Sequence, residues 1–188
     1  MLRILSPLCA MLVTLAVASP ARAETIENPT YKTWAGQKVG TVVTLNMVTE
    51  AGANKSDATM TYTLTALTAE GATVEMVTTV KTAGMEFKTP AQKVEVKKVF
   101  ELPPGRGKDH FDKPEGFVEQ GTETLKIDGF EYKAKWMTTK TNANGAEMES
   151  KVWMADDVPN MLVKMESKAK IMGTASTTTM TLVSVKKP

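Results

Sequence analysis

Cysteine and histidine are almost missing from this sequence, with Cys9 and His110 the only examples. Cys9 lies within residues 1–23, which read as an export signal, so the expected mature chain carries no thiol. Disulfides, thiol catalysis and cysteine-bound zinc are thereby excluded. A histidine-based triad or zinc site would depend on His110 alone. It sits in Asp109-His110-Phe111-Asp112 without a recognised ligand spacing, so it reads as a solvated loop side chain and no metal or cofactor is expected. No G-x-S-x-G elbow, H-E-x-x-H, phosphate loop or dinucleotide fingerprint is present. Asp156 and Asp157 are sequence neighbours that extended backbone would point to opposite faces, so a turn suits them better than glycosidase chemistry. No enzyme is expected.

Long hydrophobic runs are lacking too. The longest, 8–17, is about half of the ~20 residues that a spanning helix needs, so no transmembrane segment is expected. Arg3 before this run, with Pro20 and Ala21-Arg22-Ala23 after it, makes 1–23 a signal peptide cut before Glu24. Cys9 opens the apolar run instead of closing it, the wrong place for a lipid-bearing cysteine. The expected location is the bacterial periplasm or beyond. Charge of one sign is absent as well: of 23 basic residues Arg3 and Arg22 leave with the leader, and 23 − 2 = 21 then balances 21 acids. That balance gives no footing for nucleic acid.

What is abundant is threonine, with 26 between residues 24 and 188, alongside much valine. No dozen residues hold a 3.6-residue apolar period, so the chain reads as one mainly β domain over 24–188 with little helix. Strands are expected at 38–49, 58–67, 73–83, 92–101, 122–127, 130–139, 146–154, 161–171 and 176–185. Ala51-Gly52-Ala53-Asn54, Glu70-Gly71, Asp128-Gly129 and Asn144-Gly145 punctuate them as short antiparallel turns where a positive φ is cheap. A two-residue loop at Asp128-Gly129 pairs Ile127 with Phe130, Lys126 with Glu131 and Leu125 with Tyr132. One at Asn144-Gly145 sets Trp136 opposite Trp153, Lys140 opposite Glu149 and Ala134 opposite Ala155, whereas a longer loop over 141–145 would slip this register and take the tryptophan pair off that face. Nine strands in a single twisted sheet tend to curl or split, which predicts one large curled antiparallel sheet, a half-barrel, or a two-layer sandwich. The stretch 102–116, with Pro103, Pro104 and Pro114, is the longest expected loop.

Methionine is in excess, with 11 left after Met1 and Met11 are set aside from 13. Thioethers bind soft Cu(I), yet copper sites gather methionines closely, and here they are spread from Met47 to Met180. Two other uses remain open: filling gaps in the core, or lining a cavity that adapts to apolar ligands.

Gly121-Thr122-Glu123-Thr124-Leu125, Asp128-Gly129, Trp136, Lys151-Val152-Trp153, Asp157-Val158-Pro159 and Val163-Lys164 follow one another in an order found in exported bacterial proteins. Over residues 121 to 166 the chain resembles lipoprotein-carrier-type β half-barrels. The resemblance implies a curved sheet, covered by helices, around an apolar cavity for acyl chains, although no clear covering helix is visible here. Export, a curled sheet and methionine-rich strands together suggest binding of an apolar or amphiphilic, lipid-like ligand. The lining candidates are Phe130, Tyr132, Trp136, Trp153, Met161 and Met165, and each suits an ordinary core equally well. The alternative is a structural or protein-interaction domain of the envelope.

Overall fold

The computed structural model describes residues 24–82, 84–103, 107, 111–143, 146–171 and 173–188. The proposed leader with Cys9, the loop residue His110 and the turn Asn144-Gly145 lie outside them. The chain runs β1 (Thr25–Glu27), α1 (Pro29–Ala35), β2 (Val42–Ala51), β3 (Asn54–Leu67), β4 (Gly71–Thr82), β5 (Met85–Lys88), β6 (Gln92–Lys97), β7 (Val99–Glu101), β8 (Phe117–Ile127), β9 (Phe130–Ala143), β10 (Ala146–Met154), β11 (Leu162–Ile171) and β12 (Thr174–Lys186). Ten of the strands form one antiparallel sheet in the order β5-β4-β3-β2-β12-β11-β10-β9-β8, with β6 in line with β5 on the same side of β4. The sheet is open and curled, since β8 at its far edge approaches β12 although three strands separate them.

All nine expected strands are present. The expected strand 92–101 is broken at Lys98 into β6 and β7, and β7 leaves the large sheet to pair with β1. Both proposed registers occur: Ile127 faces Phe130, Leu125 faces Tyr132, and Trp153 faces Trp136. Asp128 (φ 51°) and Gly129 (φ 80°) both take the left-handed backbone that a two-residue hairpin loop demands. The β9–β10 ladder ends at the Met154–Lys135 pair, one short of Ala134 with Ala155. Lys140 and Glu149 pair across it and their charges meet at 3.0 Å. Gly71 differs from expectation. It has no positive φ, and its missing side chain instead admits the Val96 carbonyl, 2.9 Å from where a Cβ would stand.

The helix α1 was not legible from hydrophobic period because it is only seven residues long. Its start is nevertheless written in Asn28-Pro29. The Asn28 side chain accepts from the Thr30 N–H at 3.0 Å and donates to the Lys97 carbonyl at 2.9 Å, capping the helix and fastening it to β6. Trp34, 1% exposed, and Tyr31 then enter the core with Val43, Leu45, Leu64, Val74, Val163 and Leu182. The Tyr31 hydroxyl donates to the Thr68 carbonyl at 2.9 Å, which spares its buried oxygen a lost hydrogen bond.

Side chains alternate along a strand, so the registers assign faces. Trp136, Trp153, Lys164 and Thr181 follow one another across β9, β10, β11 and β12 on one face. On the other face run Met137, Val152, Met165, Met180, Met47, Ala58, Val80 and Phe87, one residue from each of eight strands.

Candidate functional site

A cleft of about 650 Å³ opens where the start of α1, the segment around Phe111, the middle of β8 to β10 and the turn before β11 come together. Its apolar wall comprises Phe111, Met137, Val152, Met154, Met161 and Leu162. Asp112, Gln120, Lys135, Asp156 and Asn160 stand among them as the polar part. This size lies within the range of small-molecule sites, and an apolar lining with few polar groups is their usual make-up.

The turn that supplies part of this wall is held in an unusual conformation. Val158 and Pro159 are fully buried, and the chain then turns back through Asn160 (φ 69°) and Met161 (φ 63°). Two successive side-chain-bearing residues in the left-handed region are costly, on the order of 1 kcal/mol or more each. Hydrogen bonds hold the turn: the Met161 N–H donates to the Val158 carbonyl at 2.8 Å, and the Ala155 N–H donates to the Met161 carbonyl at 2.9 Å. Both strained residues line the cleft. Met161 was expected at the head of a strand, but β11 begins at Leu162.

The six residues singled out from the sequence do not converge on one cavity. Trp136 and Met161 line the cleft. Trp153, 5% exposed, belongs to the core, and its indole N–H donates to a Glu123 carboxylate oxygen at 2.8 Å. Tyr132 is half-buried against the core, while Phe130 near the hairpin tip is 66% exposed. Met165 is half-buried on the face opposite the two tryptophans, two strands from Met137. Phe111, Met137, Val152, Met154 and Leu162 were not singled out. Period-2 alternation does put Met137, Val152 and Met154 on one face, but only the β9–β10 register shows that they adjoin.

Two lysines lie over the tryptophan face. The Lys151 Nζ lies 3.9 Å from the Trp136 ring centre and 4.8 Å from that of Trp153, and the Lys164 Nζ lies 4.9 Å from the latter. Lys164 also meets Glu166 at 2.7 Å. The Tyr132 phenol is pushed above its ordinary value, by burial first and then by the negative charges of Asp157 and Asp128. Among the described residues, no three His, Cys, Asp or Glu side chains gather as a metal site, and no helix is long and apolar enough to cross a membrane.

No family model matches the chain, and no curated protein matches it. Among solved structures, it is similar to a domain of Vibrio parahaemolyticus named for outer membrane lipoprotein sorting, at 9% identity and a TM-score of 0.27. That alignment covers 83% of this chain and 88% of the other. It is also similar to a DUF1329 family protein from Desulfovibrio piger, at 9% identity and a TM-score of 0.22, over 85% of this chain and 90% of that one. The first neighbour is of the kind that the resemblance over residues 121 to 166 names.

Proposed function

We propose that this protein, exported to the cell envelope after loss of residues 1–23, binds an apolar or amphiphilic, lipid-like ligand in the cleft beside α1. The observation that carries the reading is the apolar wall of Phe111, Met137, Val152, Met154, Met161 and Leu162, closed on one side by a strained turn. Burial alone supplies the affinity, at ~0.8 kcal/mol per methylene. A sixteen-carbon fatty acid, with about 15 methylene and methyl groups, gains roughly 12 kcal/mol, and association costs of ~4 leave about the 8 that micromolar binding requires. A chain of about eight such groups gains roughly 6 and falls short. Methionine side chains suit such a site because they repack around chains of different shape.

Titration with fatty acids of sixteen and eight carbons, followed by tryptophan fluorescence, tests this. The longer acid should saturate the signal at micromolar concentration and the shorter should not, with Trp136→Phe removing most of the change because Trp136 alone of the three indoles lines the cleft. Equal responses to both acids, or none to either, would contradict the reading.

A second reading has its own observation. Met85, Phe87 and Val94 are 56%, 54% and 40% exposed on β5 and β6, the outer strands of one sheet edge. Exposed apolar edges of this kind favour contact with another protein. A co-purifying envelope protein lost on Phe87→Glu, with no extractable lipid, would place this reading first.

A further inference from the structure

The sequence separation of the methionines counts against a metal site only while the strands are unfolded. In the sheet, Met165 pairs with Met180 and Met180 pairs with Met47, so three thioethers stand side by side on adjacent strands β11, β12 and β2. Directly opposed residues have Cβ atoms about 4.5–5.5 Å apart, and methionine's three rotatable bonds let the outer two sulfurs lean over the central one. We propose that Met47, Met165 and Met180 form a binding site for a soft monovalent cation of the Cu(I) type.

The surroundings select this chemistry. The nearest positions on the same face are Val152 and Ala58 at the ends of the trio, Val163, Leu182 and Leu45 on one flank, and Ser167, Thr178 and Thr49 on the other. None of these is charged, and none offers a carboxylate or imidazole. Neutral thioethers with only uncharged hydroxyls beside them discriminate against divalent ions such as Zn²⁺ and Ca²⁺, and a single positive charge is the cheaper one to desolvate. The trio is also accessible. All three methionines are half-buried and so open in part to solvent. Met180 packs against the buried cluster, with Met165 and Met47 paired to it on either side. None of the three methionines lines the cleft, whose wall begins at the next strand with Val152, the partner of Met165.

Silver(I) ion, which shares the softness of Cu(I) without its redox chemistry, is the probe. Titration of the ¹³C-methyl-methionine protein should show one Ag⁺ bound per chain at micromolar concentration, with methyl shifts concentrated on Met47, Met165 and Met180. Leucine conserves the volume and apolar character of methionine but removes the sulfur. Each of Met47→Leu, Met165→Leu and Met180→Leu should therefore weaken Ag⁺ binding tenfold or more, and the triple variant should abolish it while the sixteen-carbon fatty-acid response stays unchanged. Shifts spread over the other methionines, or a triple variant that binds Ag⁺ within twofold of the parent, would overturn the proposal. If the variants fail to fold, the shifts in the parent protein decide alone. The fatty-acid response tests the cleft separately, so either reading can fail without the other.

Discussion

Trp136 and Trp153 face each other across β9 and β10, yet only Trp153 is buried, at 5% exposure, while Trp136 remains half-exposed under the Lys151 ammonium group. Trp153 belongs to the buried core, and Trp136, packed against it, lines the cleft.

Trp153→Ala should cost about 3–5 kcal/mol in urea unfolding, the range for truncating a buried aromatic. It also leaves Glu123 without its indole partner. Trp136→Ala should cost clearly less. Equal losses would mean that the half-exposed ring carries as much packing as the buried one.

Gly121 lies directly across from Trp136, and a Cβ there would stand 2.7 Å from the indole Cζ2. Gly121→Ala should displace the ring, shift the tryptophan emission and cost on the order of 1–3 kcal/mol through overpacking. An unchanged spectrum with unchanged stability would show that the ring does not rest on β8.

Met161→Gly separates stability from binding. Glycine accepts the φ of 63° without strain, so stability should stay within about 1 kcal/mol of the parent or rise. Affinity for a sixteen-carbon fatty acid should meanwhile fall severalfold, as the cleft loses part of its wall. A large loss of stability with full affinity would contradict the role given to this turn.

The raised value of the Tyr132 phenol predicts an alkaline effect. Below pH ~10 folded and unfolded chains both hold the proton, and the contribution to stability is fully present. As pH rises further the unfolded chain ionises first, so stability falls until the folded phenol also gives up its proton. Tyr132→Phe should flatten that fall. Tyr62, raised by burial, contributes in the same direction, and the double replacement by Phe should flatten it further. Identical profiles between pH 9 and 11 would contradict the shift.

The sheet was legible in the sequence because its signals are local. Asp128-Gly129 dictates a tight loop, and alternation from Phe130 to Trp136 then fixes which residues face one another. The helix was missed because seven residues cannot show an amphipathic period, although Asn28-Pro29 carried its capping chemistry. The cleft was only partly legible. Its wall joins Phe111, Met137, Met154 and Met161, which come from separate elements and meet only through long-range register and curl. Phe130 and Tyr132 have the alternation of an inner face, but alternation cannot tell a core from a hairpin tip. The same limit hid the Met47–Met180–Met165 row, whose members are neighbours only in the folded sheet.

The central claim, that the cleft carries a lipid-like ligand, is tested most directly by native mass spectrometry of protein freshly purified from an envelope fraction. The spectrum should show the chain beginning at Glu24 with an added mass that organic solvent removes and identifies as a lipid. Met154→Asp, which places a charge in the apolar wall, should lack that mass while remaining folded. A clean ligand-free spectrum with nothing extractable, or an added mass that Met154→Asp retains in full, would contradict the account.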